Sequence, residues 1–445
     1  LKDYKGGAPV VSGETFLPSP ANIEARVKRS NIGGLKTAFL TKENRGDTVF
    51  ANLTLRFGDE KSLFNRSMAA DFVQSMLLRG TLKKSRQKIQ DELDRLRAQV
   101  GISGSTSSVV VSIETTRQNL SEVIKLVAEI LREPSFPAKE FEQLRQEYLA
   151  SIEGQQSDPS AIVSNTMARL FAKYPKGDVR YVETFAEQIA AVKAVTLLQL
   201  RQFHKEFYGA SNGEFAVVGD FDAQETAALT NQLFANWKSP KPFSRIADNF
   251  NDIPAANQNI ETPDKESAYF QAKIALKLSD DNPDFPALAV GNFVFGSGYT
   301  SRLVLRIREK EGLSYDLGSW TSADALDQNG SVNAYASFAP QNAAKFESSF
   351  KEELAKLLKD GITEAELADA KAGLIERYKV DRSQDTQLAG KLSSYLFFNR
   401  TMNWDSEFEK KIAALTVEQV NAALRKYVIP DKVTMIKVGD FAGKK

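Results

Sequence analysis

The chain has 445 residues, one histidine (His204) and no cysteine. This excludes disulfides, thiolate chemistry, CxxC redox motifs and any zinc site that needs cysteines or more than one histidine. The 58 basic and 57 acidic residues leave a formal charge of +1, which gives no support for a nucleic-acid partner.

A serine–histidine–aspartate triad would have to use His204, and other acid–base work would fall to carboxylates, lysine or tyrosine. The length allows about three domains at roughly 150 residues each, and no apolar run approaches the ~20 residues of a membrane span. The first residue is Leu1 rather than Met. That, the Gly/Pro/Ser-rich start and the absent cysteines are compatible with export, so a periplasmic location is expected, with the cytoplasm as the other option.

Residues 1–30 contain Gly6, Gly7, Pro9, Gly13, Pro18 and Pro20 and read as an extended arm. Thr48–Phe57 and Ser107–Thr116 alternate as strands. Leu63–Leu78, Arg86–Val100, Leu120–Arg132 and Ala138–Ile152 read as helices, and Ser157-Asp158-Pro159 opens another through Phe171. The charged run Lys83–Arg97 reads as a solvated helix face. His204 lies among aromatic residues (Gln202–Phe207) and reads as a packing or capping histidine.

Residues 236–266 carry Pro240, Pro242, Pro254 and Pro263 without periodicity and read as a linker. Beyond it, Gln271–Leu278, Leu317–Thr321 and Ser331–Phe338 read as strands. Phe285–Phe295, Ser301–Lys310, Ala343–Leu358 and Glu364–Tyr378 read as helices. The run Phe295-Gly296-Ser297-Gly298 lacks the spacing of a phosphate loop and is given no ligand.

The two halves echo one another. Ala216–Asp222 (AVVGDFD) matches Ile436–Ala442 (IKVGDFA) at an offset of 220, and the same offset pairs Thr196 with Thr416 and Gln199 with Gln419. Each copy reads as a helix capped by threonine followed by a strand ending in Gly-Asp-Phe. Leu96–Ser103 (LRAQVGIS) resembles Ile307–Ser314 (IREKEGLS), each read as a helix end, a C′ glycine and a strand start. Two matches in the same order indicate a duplicated domain. The fold class is α+β, with a first domain at 31–235, a second at 267–445 and the arm and linker outside them.

The run Ser301–Ser319 (SRLVLRIREKEGLSYDLGS) resembles the C-terminal domain of the pitrilysin/insulinase family, zinc peptidases with an inverted HxxEH motif. The resemblance extends from about Asn31 to the end. It implies antiparallel-dominated sheets with helices packed on one face, two such domains forming a half-clamshell, and an active-site Arg/Tyr pair at Arg308 and Tyr315, seven residues apart. On residue type alone, Arg308 reads as a solvated or salt-bridged helix residue beside Glu309 and Glu311, and Tyr315 as a half-buried strand tyrosine.

The first domain departs from the family pattern. The family's His-x-x-Glu-His is followed by a run similar to Met76-Leu77-Leu78-Arg79-Gly80-Thr81, which sets the register. The two ligand histidines are then Asp71 and Ser75, and the general-base glutamate is Gln74, whose amide takes no proton from water. Glu153 falls near the family's third ligand, but one carboxylate without imidazoles does not hold zinc. The degenerate positions read as a polar remnant or an interface patch, and Glu153 as a surface residue or inherited remnant.

The resemblance therefore implies a non-zinc accessory subunit of a heterodimeric metallopeptidase. No cofactor is expected in this chain. Zinc is expected in a homologous HxxEH-bearing partner, and a peptide is the expected substrate. The other reading is a catalytically inert chamber-wall or substrate-recognition subunit of a larger complex, with a self-paired, peptide-retaining homodimer as a third.

Overall fold

The computed structural model describes residues 13–442. They form two compact units that are not contiguous in sequence. The first contains the described residues up to Gln146, with Ala194–Ile246 and Lys379–Ser406; the second contains Glu147–Lys193, Ala247–Tyr378 and the residues from Glu407 onward.

The first unit holds strands β1 (Lys28–Ile32), β2 (Leu35–Thr41), β3 (Thr48–Arg56), β4 (Gln99–Ser105), β5 (Ser108–Thr116) and β6 (Gly213–Gly219). They pair in the order β1-β2-β6-β3-β5-β4, parallel only between β2 and β6. The second holds β7 (Asn257–Glu261), β8 (Ala268–Leu276), β9 (Ser314–Ala323), β10 (Gly330–Phe338) and β11 (Thr434–Gly439). Its order is β7-β11-β8-β10-β9, parallel only between β7 and β11. The second sheet thus repeats the first from β2 onward, strand for strand. The duplication read from the Gly-Asp-Phe echo is a duplication of sheet topology.

Both capping boxes form: the Thr196 and Thr416 side chains accept from the backbone N–H of Gln199 and Gln419, whose side chains reach back to the caps. Each starts the helix that leads into an interior strand of its sheet, β6 or β11.

The departure from a simple cut at the linker is a reciprocal exchange. Helix Asp385–Phe398 comes from the second half of the sequence, yet Leu388, Leu392 and Leu396 pack on Ala38, Leu40, Ala216 and Val218 of the first sheet. Helix Pro159–Phe171 comes from the first half, yet Val163 and Met167 pack on Ile436 and Val438 of the second. β6 is buried at every position, because the exchanged helix covers the face that the remaining helices leave open. Lys42 pairs with Asp385 at 2.5 Å, both side chains under 10% exposed, which ties the visiting helix down.

Several local expectations shift. Residues 1–12 of the expected arm lie outside the described residues. Pro20–Arg26 is a helix, with Ser19 as N-cap and proline in the first turn, a standard helix start, and β1 follows it. The 236–266 segment contains β7, a polar edge strand (NQNIE) that lacks alternation but pairs with β11. The first helix expected from Leu63 starts at Ser67, because Asn65 takes a left-handed φ of 61°. The one expected to reach Val100 stops at Arg95, since Arg97 has φ 47° and β4 begins at Gln99. Gly312 is the expected turn glycine, with φ 61°, but Gly101 lies inside β4. The LRAQVGIS echo therefore aligns residues of different elements.

Candidate functional site

Asp71, Gln74 and Ser75 lie on helix Ser67–Met76 in the first unit. Gln74 is 8% exposed. Its Nε2 donates to the carbonyl oxygens of Ser105 at 2.7 Å and Ser108 at 3.2 Å, closing the turn between β4 and β5. A primary amide carries two hydrogens, and both are used. Asp71 and Ser75 are half-buried beside it. Glu153 is exposed on helix Ala138–Gln155, in the part of the chain belonging to the second unit.

Zinc, which the resemblance implies for an active member, is not suited by these donors. One carboxylate, one hydroxyl and an amide whose NH₂ is spent lack the imidazole or thiolate set that holds zinc. Among the described residues no group of three or more His, Cys, Asp or Glu is placed to hold a metal ion. No metal-dependent step is assigned to this chain.

The Gln74 geometry has a testable consequence. Gln74→Glu places a carboxylate against two carbonyl oxygens with no donor, which costs about 1–3 kcal/mol of stability at neutral pH. The new carboxyl has a raised pKa in the folded state, so the loss is present at high pH and fades as pH falls toward the unfolded carboxylate value of about 4.3. Urea unfolding at pH 8 and pH 5 measures this; a variant as stable as the parent at pH 8 contradicts the assignment.

His204 packs rather than catalyses. Its Nε2 donates to the Leu131 carbonyl at 2.8 Å, and its ring lies 4.7 Å from Tyr208 and 5.8 Å from Phe136. Burial pushes its pKa below the usual value, against the pull of the Leu131 hydrogen bond.

The second unit presents the Arg/Tyr pair. The expected helices Phe285–Phe295 and Ser301–Lys310 both widen into π-helical segments, Phe293–Ser297 and Val304–Lys310. Such widening occurs frequently at functional sites, and 3.6-residue periodicity does not reveal it. The second segment is clamped from one side. Arg306 pairs with Glu311 at 3.2 Å, Glu352 at 2.5 Å and Glu353 at 3.5 Å, while Ser349 donates to Glu311 at 2.5 Å. Arg302 forks onto Glu366 at 2.7 and 2.8 Å, and Ile307 is fully buried.

Arg308, on the other side, is exposed, and among the described residues its ion pairing is limited to its neighbour Glu309 at 3.4 Å. Gly312 turns the chain into β9, where Tyr315 is 81% exposed, rather than half-buried as its strand position suggested. β9 is an edge strand, bonded only to β10. A clamped helix and a paired strand thus hold two side chains that contribute little to the fold.

The chain is similar to known proteins over most of its length. Residues 39–179 match the family described as insulinase (peptidase family M16), and residues 194–374 match the peptidase M16 inactive domain. An uncharacterized zinc protease of Mycobacterium leprae is 25% identical over 85% of this chain and 83% of its own. A non-peptidase homolog of Helicobacter pylori is 23% identical over 88% and 89%. Among solved structures, a peptidase M16 inactive domain from Pseudomonas fluorescens superposes with a TM-score of 0.81 at 25% identity, covering 94% of this chain and 99% of that one. The periplasmic protease PqqL from Escherichia coli superposes with a TM-score of 0.70 at 15% identity, covering 98% of this chain but 49% of that one.

Proposed function

Because the chain belongs to the insulinase family, peptidase family M16, we propose that it is the non-zinc accessory subunit of a heterodimeric metallopeptidase, lending Arg308 and Tyr315 to the zinc site of an HxxEH-bearing partner. The observation that carries this reading is a contrast. The position of the general base is an amide consumed in closing a hairpin, whereas Arg308 and Tyr315 stand exposed on a clamped π-helix and an edge strand. The match to 49% of the periplasmic protease supports a partner of similar size, because that longer chain has room for a second half. The same neighbour supports a periplasmic location.

In this reading the partner supplies the metal and the attacking water. Tyr315 donates a hydrogen bond to the scissile carbonyl oxygen as negative charge builds there. Arg308 offers a planar, permanently charged fork that grips a neighbouring peptide carbonyl or steadies the tyrosine. The peptide lies between the two subunits.

Purifying this chain alone and together with an HxxEH-bearing homologue tests the reading. The expected result is no bound zinc and no cleavage of a fluorogenic peptide by the chain alone, with cleavage appearing or rising on mixing. Chelator-sensitive cleavage by this chain alone overturns it. Stable assembly with no effect on cleavage assigns the chain to the inert chamber-wall class instead.

A further inference from the structure

The second unit contains a cavity of about 310 Å³ whose lining includes Phe171, Tyr174, Arg180, Asp248, Lys273 and Asn329. Its charges are unevenly satisfied. Arg180 is spent on Asp178 at 2.7–2.8 Å and on the Ala247 carbonyl at 2.5 Å. Asp248 accepts from the Tyr174 hydroxyl at 2.7 Å and from Asn329 Nδ2 at 3.0 Å.

Lys273, on β8, is left over. Its ammonium lies 4.5 Å from the centre of the Phe171 ring and makes no ion pair or side-chain hydrogen bond among the described residues. Burial pushes its pKa below the ordinary lysine value, against the attraction of Asp248. A half-buried cation with no acid in contact is costly unless a counter-charge arrives. Arg180 is balanced by Asp178 and Asp248 is engaged by neutral donors, so among the described residues Lys273 is the lining cation without an acidic contact partner, and a single negative charge complements it where a dianion overshoots.

We propose that this cavity is a binding site for a monocarboxylate, with Lys273 as its ion-pair partner and the Phe171 and Tyr174 rings bounding its apolar part. The carboxylate comes either from a small organic acid or from the C-terminus of a peptide. The proposal is independent of the role given to Arg308 and Tyr315.

Calorimetric titration of the full chain with N-acetylphenylalanine, its amide, benzoate and inorganic phosphate is the test. The acid is expected to bind at least tenfold more tightly than the amide, and phosphate more weakly than the acid. Lys273→Met is expected to remove the preference for the acid while leaving Tm unchanged or raised, since it deletes an unpaired charge. Lys273→Gln serves if the methionine variant does not fold, and protection of Lys273 from amine acetylation by saturating N-acetylphenylalanine gives a second readout on the parent chain. Binding of benzoate as tight as N-acetylphenylalanine supports the small-acid source; binding of N-acetylphenylalanine alone supports the peptide terminus. No saturable binding by either acid, equal binding of acid and amide, tighter binding of phosphate, or an undiminished preference in the Lys273 variants overturns the proposal.

Discussion

Tyr315→Phe is expected to lower the peptidase activity of the two-subunit complex by about 10²–10³-fold, the usual effect of removing one donor to a developing oxyanion. The fold is expected to tolerate the change, because the side chain is 81% exposed and the ring is retained. The loss should fall mainly on kcat, since the hydrogen bond strengthens as charge develops and does little for ground-state binding.

Arg308→Lys is a sharper partner experiment than removal of the side chain. Lysine keeps the charge but not the planar fork, so it should not restore the activity lost in Arg308→Ala. Steady-state kinetics on complexes of matched stoichiometry measure both. Full activity in both Tyr315→Phe and Arg308→Ala complexes would show that the pair is ornamental, and the chain would then belong to the inert wall class.

The second large effect concerns the exchanged helices. A fragment ending at Ala235 retains every strand of the first sheet but lacks helix Asp385–Phe398, whose Leu388, Leu392 and Leu396 cover Leu40, Ala216 and Val218. It is expected to show no cooperative urea transition, and a peptide spanning 379–406 added in trans should restore one. In the full chain, Leu392→Ala removes a side chain only 1% exposed, and the expected loss is 2–5 kcal/mol, the usual range for such a core truncation. A fragment that unfolds as sharply and as late as the parent would mean that the visiting helix is dispensable.

What could be read in advance follows from how local the relevant physics is. The helices Leu120–Arg132 and Pro159–Phe171 have the bounds expected of them, because the apolar stripe of the first and the cap and first-turn proline of the second are each written within a dozen residues. The two capping boxes are equally local. The exchange was not legible, since the stripe on Pro159–Phe171 says that a face is buried but not against which sheet. β7 was missed because a polar edge strand takes its structure from its neighbour. At the degenerate motif, the loss of the base was readable from residue type, but the reason Gln74 is an amide rather than any other neutral side chain lies 31 and 34 residues away, in two carbonyls. Lys273 carried no signal at all; only the partners of Arg180 and Asp248 show that its charge is unspent.

The exchange also sets a timetable for synthesis. β6 ends at Gly219, but the helix that covers it begins at Asp385. At roughly 5–20 residues per second, a ribosome takes on the order of ten seconds or more to make the intervening chain. For that interval Leu40, Ala216 and Val218 have no lid, and the nascent chain displays an apolar sheet face of the kind that chaperones hold. The first half of this protein is translated early and finished late.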